Sequence, residues 1–131
     1  MIRKKKESNL DKQKSILIVE DEVMLSTWLK MQLEDEGYLV CGCITTGEEA
    51  IEFVKETKPD VILMDINLIG EIDGIEAAEI ITEKSNIPII FMTGYEEPDI
   101  YERAQKTNPV AYLTKPVEIW DLKPIFESIF S

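Results

Sequence analysis

At 131 residues the chain has the length of one domain, and a chain of that size buries roughly two-thirds of its unfolded surface without disulfides or metal staples. With 44% apolar and 31% charged residues, no apolar run as long as a membrane span and no signal-like N-terminus, it reads as a globular, cytoplasmic protein. Six of the 14 basic but only two of the 26 acidic side chains fall in residues 1–14, so residues 15–131 carry a formal charge of −16, which disfavours direct nucleic-acid binding.

In chain order, "MIRKKKESNLDKQK" (1–14) reads as a solvated, flexible basic tail. The first strand, "SILIVE" (15–20), runs into three consecutive carboxylates, Glu20, Asp21 and Glu22. "VMLSTWLKMQLEDEG" follows with helical spacing at Leu25, Trp28, Leu29 and Leu33, and Gly37 is its expected stop. In the strand "YLVCGCI" (38–44), alternation places Cys41 and Cys43 on one side as buried, unreactive thiols; two cysteines without a histidine make a poor zinc site. "TGEEAIEFVKETKP" is a helix with Ala50, Phe53 and Val54 on one face, and "DVILMD" (60–65) is the third strand. The helix "GIEAAEIITEKS", the strand "IPIIFM" (87–92), the helix "DIYERAQKTN", the strand "VAYLT" (110–114) and the helix "EIWDLKPIFESIF" complete the chain. Most of the strands are continuous apolar runs, the pattern of strands buried on both faces.

Five strands alternating with five helices predict an α/β fold, a parallel sheet with helices on both faces. In such sheets ligands bind beyond the carboxyl ends of the strands. Glu20 and Asp21 follow the first strand, Asp65 ends the third, and Thr93 and Lys115 follow the fourth and fifth, so one pocket collects them. Three carboxylates at one point repel one another unless a cation joins them, and all-oxygen ligation favours a hard divalent ion such as Mg²⁺. With Lys115 adding a further positive charge, Asp65 is a candidate nucleophile for phosphoryl transfer. Glu22 is expected to project outward or to assist the helix start.

The ordered motifs "VEDE", "LMDINL", "DGIEAA", "FMTGY" and "YLTKP" resemble the receiver domain of two-component response regulators over residues 15–131. The resemblance implies a flavodoxin-like, doubly wound five-stranded sheet of order 2-1-3-4-5. It makes Asp65 the phospho-acceptor, Asp21 a direct metal ligand, Glu20 a ligand acting largely through water, and the main-chain carbonyl of Asn67 the remaining protein ligand. Lys115 would pair with Asp65 and later with the phosphoryl oxygens, and its bond to Pro116 is expected to be cis. Thr93 would move to bind a phosphoryl oxygen while Tyr112 turns inward, converting chemistry into a change of surface. The stretch "INLIGEID" reads as one residue longer than in most of the family, and the resemblance implies that Tyr95 and Asn67 would flank the path of attacking water.

With no histidine in the chain, the phosphoryl donor is expected to be a histidine kinase or phosphotransfer protein in trans, or a small acyl phosphate. The chain would catalyse only its own phosphorylation and dephosphorylation. A homodimer or an effector is expected to use the surface near Tyr112, with Ile100, Arg103, Val117 and Trp120 as contacts, Trp120 being equally compatible with the core. No output domain is expected after Ser131 unless the polypeptide is longer. The alternatives are a degenerate receiver that docks partners unphosphorylated and a phosphatase of the haloacid-dehalogenase type. The latter would need a second aspartate where Asn67 stands, and an amide cannot act as the general acid.

Overall fold

The computed structural model describes residues 13–94 and 97–131. Its elements are β1 (Ser15–Val19), α1 (Val23–Asp35), β2 (Leu39–Ile44), α2 (Gly47–Glu56), β3 (Val61–Asp65), α3 (Gly74–Lys84), β4 (Ile89–Thr93), α4 (Pro98–Gln105), β5 (Ala111–Thr114) and α5 (Ile119–Phe130). All neighbouring strands pair in parallel, in the order β2-β1-β3-β4-β5 expected from the sequence.

Successive strand residues face opposite sides of the sheet, and this alternation builds two cores. Ile16, Ile18, Val61, Leu63, Ile90 and Met92 meet Leu29 and Leu33 of α1 and Leu122 and Phe126 of α5. Leu17, Val19, Ile62, Met64 and Phe91 meet Ala50 of α2, Ala77, Ala78 and Ile81 of α3, and Ala104 of α4. Burial on both faces holds for β1, β3 and β4, whereas the edge strands β2 and β5 are half-exposed, because each has a neighbour on one side only.

Helix ends follow local chemistry. α1 stops in a Schellman turn: Tyr38 N–H donates to the Leu33 carbonyl and Gly37 N–H to that of Glu34, with Gly37 at φ +94 as expected. Thr46 caps α2 by accepting the Glu49 N–H at 3.1 Å, and Asp73 and Glu76 form a reciprocal capping box on α3, each bond 2.9 Å. Glu22 is exposed at the start of α1, where its carbonyl, not its side chain, receives the first helical bonds.

The cysteine expectation is corrected. A bulge in β2 pairs Ile16 with Val40 but Leu17 with Gly42, leaving Cys41 as the extra residue. Cys41 therefore stays on the α2 side with Gly42, its thiol 3.6 Å from the Ile16 carbonyl, while Cys43 turns to the opposite side beside Ser26, Lys30 and Glu34 of α1 and is exposed. Partial burial still pushes both thiols up, which keeps the reactive thiolate scarce. Of the expected tail, residues 1–12 lie outside the described residues. Gln13 donates to the Gly37 carbonyl at 2.8 Å, and the Lys14 carbonyl accepts the Leu39 N–H at 2.9 Å.

Gly74 begins α3 directly against the end of β3, its N–H donating to the Ile66 carbonyl at 2.9 Å. A Cβ there would lie 2.1 Å from the Asp65 carbonyl oxygen, a backbone atom that cannot step aside. Gly74→Ala is expected to lower the free energy of unfolding by about 3 kcal/mol, read as a shifted urea midpoint at unchanged slope.

Candidate functional site

The carboxyl ends of β1, β3, β4 and β5 converge on one acidic pocket. β1 delivers Glu20, whose N–H donates to the Ile44 carbonyl at 2.8 Å, extending the ladder one residue past the strand. Asp65 is the last residue of β3, in register with Met92, and Thr93 ends β4 opposite Thr114. Lys115 follows β5, its N–H donating to the Thr93 carbonyl at 2.7 Å, and the bond to Pro116 is cis as expected. Glu20, Asp65 and Thr93 are buried and Asp21 is half-buried.

The lysine organises the charges. Its Nζ lies 2.8 Å from Glu20 Oε1 and 3.2 Å from Asp65 Oδ2. Glu20 Oε2 accepts the Glu22 N–H at 3.1 Å, and Asp65 Oδ1 accepts the Asn67 N–H at 3.2 Å. Burial pushes Glu20 up to about 7 and raises Asp65 as well, although Lys115 and the backbone N–H groups pull both back. Burial would lower Lys115, but Glu20 and Asp65 outweigh it and hold the ammonium above the usual range.

Glu20, Asp21 and Asp65 each offer an oxygen, all three within 4.8 Å of one another. That donor set, hard and anionic with a single nearby ammonium among the described residues, fits a small divalent cation such as Mg²⁺. Asn67, two residues after Asp65, is exposed, and its backbone N–H is taken up by Asp65 Oδ1.

The aromatic end of the site lies on β5. Tyr112 is half-buried against the α2, α3 and α4 side of the sheet, and Tyr101 of α4 meets it edge-on at 5.0 Å between ring centroids. Tyr95 lies outside the described residues. Among the expected docking contacts, Trp120 is 67% exposed, which places it on the surface. Val117, at 5%, packs into the core with Leu122 and Phe126 and so offers little surface for docking. Ile100 packs partly against the opposite core, and Arg103 makes a two-pronged pair with Asp73, at 3.1 and 3.4 Å. The reading of the sequence missed that pair: it marked Arg103 as a docking contact, and no local pattern pointed to Asp73 as its partner.

Burial of Glu20 has a sign that can be tested. In metal-free solution the native state keeps a proton on Glu20 that the unfolded chain, near 4.5, has already released. Native binding of more protons means that this contribution to stability is present at lower pH and is lost as pH rises from about 4.5 to about 7. Urea unfolding across that interval is expected to show the decline, and added Mg²⁺ to reverse it near neutrality. Asp65→Asn, which removes one of the buried charges, is expected to stabilise the metal-free protein near neutral pH by about 1–2 kcal/mol.

Comparison with known proteins agrees with this geometry. The sequence profile described as the response regulator receiver domain matches residues 16–127. The chain is 39% identical over 112 residues to the transcriptional regulatory protein PdtaR of Mycobacterium tuberculosis, covering 86% of this chain and 54% of that protein. It is 37% identical over 119 residues to the transcriptional regulatory protein DesR of Bacillus subtilis, covering 89% and 58% respectively. It thus spans little more than half the length of these relatives. Among solved structures, the signal receiver domain of a modulated diguanylate cyclase from Desulfovibrio desulfuricans superposes with a TM-score of 0.84 at 38% identity, over 89% of this chain and 93% of that one. The N-terminal domain of a response regulator/sensory box/GGDEF protein from Carboxydothermus hydrogenoformans gives 0.79 at 35% identity, over 88% and 93%. Profile, relatives and solved structures agree over most of the chain, which belongs to the response regulator receiver family of two-component signalling.

Proposed function

We propose that the chain accepts a phosphoryl group on Asp65 from a phosphohistidine carried by a separate histidine kinase or phosphotransfer protein. The observation that carries this reading is the Lys115 ammonium set between the buried carboxylates of Glu20 and Asp65 at 2.8 and 3.2 Å. An Asp65 oxygen forms the new P–O bond as the donor's N–P bond breaks, and the electron pair leaves with the imidazole nitrogen. Lys115 steadies the Asp65 carboxylate before transfer and the phosphoryl oxygens afterwards. Asp21, Asp65 and the Asn67 carbonyl would hold Mg²⁺ directly, and Glu20 largely through water; when bound, the ion supplies neutralisation of the phosphoryl charge. Catalysis is confined to the chain's own phosphorylation and dephosphorylation, in the cytoplasm; among the described residues, no helix is long and apolar enough to cross a membrane.

Signal output uses Thr93 and Tyr112. Thr93 is buried at the end of β4, and its carbonyl is already bonded to the Lys115 N–H, so a hydroxyl drawn to the phosphoryl group moves the strand end that supports α4. Tyr112, Tyr101, Glu97, Pro98 and Thr114 line a shallow groove between β5 and α4, the surface that would change for an effector or a second copy. Docking of the protein donor would draw on exposed apolar side chains that follow the strands: Met24 (86% exposed) after β1, Ile69 (70%) after β3 and Trp120 after β5.

Two measurements test this. Intact mass after incubation with acetyl phosphate is expected to show one Mg²⁺-dependent phosphoryl gain that Asp65→Asn abolishes; no gain in the wild type, together with failure to bind a phosphoryl mimic, would favour unphosphorylated docking instead. Trp120→Ala is expected to change stability by less than about 0.5 kcal/mol while slowing transfer from the protein donor but not from acetyl phosphate.

A further inference from the structure

The loop from β3 to α3 holds the Asn67 carbonyl at the apex of a tight turn. Leu68 N–H donates to the Ile66 carbonyl at 3.1 Å, a three-residue closure centred on Asn67. The incoming arm of that turn is fixed: Ile66 N–H donates to the Met92 carbonyl at 3.0 Å, and the Ile66 carbonyl also accepts the Gly74 N–H. The outgoing arm, through Ile69, Gly70 and Glu71, leaves the sheet and is exposed. This is where the stretch read as one residue longer than usual is accommodated, with Gly70 at φ +126, a conformation that only glycine adopts readily.

A carboxylate from a different element holds that arm. Glu48, in the first turn of α2, accepts the Glu71 N–H on Oε2 at 3.0 Å. Its Oε1 lies so close to Gly70 that a Cβ there would be 2.9 Å away. Next to it Ile72 packs on Gly47, where an added Cβ would meet Ile72 Cγ1 at 3.1 Å. The start of α2 is therefore fitted against the loop backbone, and Glu48 supplies the polar part of the fit.

We infer that Glu48 is a positioning residue: by holding the Glu71 N–H it fixes the outgoing arm of the Asn67 turn and thereby the direction of the Asn67 carbonyl beside the carboxylates of Asp21 and Asp65. This rests on the proposed role of that carbonyl as a cation ligand. A group that orients a ligand from behind typically alters metal affinity 10–100-fold when removed, and here it acts through the backbone of Leu68, Ile69 and Gly70, so the lower end applies.

Calorimetric titration of Mg²⁺ into the wild type, Glu48→Ala, Glu48→Gln and Gly70→Ala tests the inference. Glu48→Ala is expected to weaken Mg²⁺ binding roughly tenfold. Glu48→Gln, whose amide oxygen still accepts the Glu71 N–H, should recover most of the affinity. Gly70→Ala, which strains the backbone and crowds Glu48 from the other side, should weaken binding with Glu48 intact, and it substitutes for Glu48→Ala if that variant does not fold. Glu48→Ala binding Mg²⁺ within about twofold of the wild type, even with a lowered melting temperature, would assign Glu48 to the fold alone and overturn the inference, as would a Gln variant no better than Ala. A wild type that binds no Mg²⁺ would instead overturn the reading of the site beneath it.

Discussion

Two carboxylates are kept out of water at the carboxyl edge of the sheet, and the rest of the structure is arranged around that electrostatic cost. Glu20 directly follows β1 and Asp65 ends the adjacent parallel strand β3, so the register of β1 with β3 sets their separation, and Lys115 is brought to them by β5 from the far side of β4. A carboxylate raised by burial is a poor choice for stability and a good one for capturing a cation, because binding removes the repulsion that folding created. Where a site must bind charge, stability is commonly given up for affinity.

The same geometry links that point to the surface. The bond from the Lys115 N–H to the Thr93 carbonyl joins the ends of β4 and β5. β5 is an edge strand with Tyr112 facing α4, and α4 is tied through Arg103 to Asp73 at the cap of α3. Asp65 thus borders the β4 end, and α4 meets β5 through Tyr101 and Tyr112 and the α3 cap through Arg103. α4 is also a short helix with one fully buried side chain, Ala104, so its hold on the core is weak compared with that of α3.

Much of this was legible in the sequence because it depends on local pattern. Continuous aliphatic runs marked β1, β3 and β4, and their alternation with amphipathic stretches implied parallel pairing; the placement of acids, threonine and lysine after strands then implied a shared pocket. The bulge at Cys41 was not legible, since a strand of small apolar residues reads the same with or without a one-residue slip, and it is the pairing with β1 that shows which residue is extra. Val117 and Trp120 were likewise indistinguishable as apolar residues near a helix start, and only the approach of α5 to the sheet buries one and exposes the other.

The sequence by itself determined the element types, the parallel sheet and the identity of the pocket residues, because periodicity and strand-end position are properties of a segment. Tertiary structure alone decided which distant groups meet outside the pocket. Asp73 finds Arg103 and the Glu71 N–H finds Glu48 because helices separated by a strand are laid side by side on one face of the sheet. No spacing along the chain encodes those contacts: they depend on how two rigid helices approach across a sheet that neither belongs to.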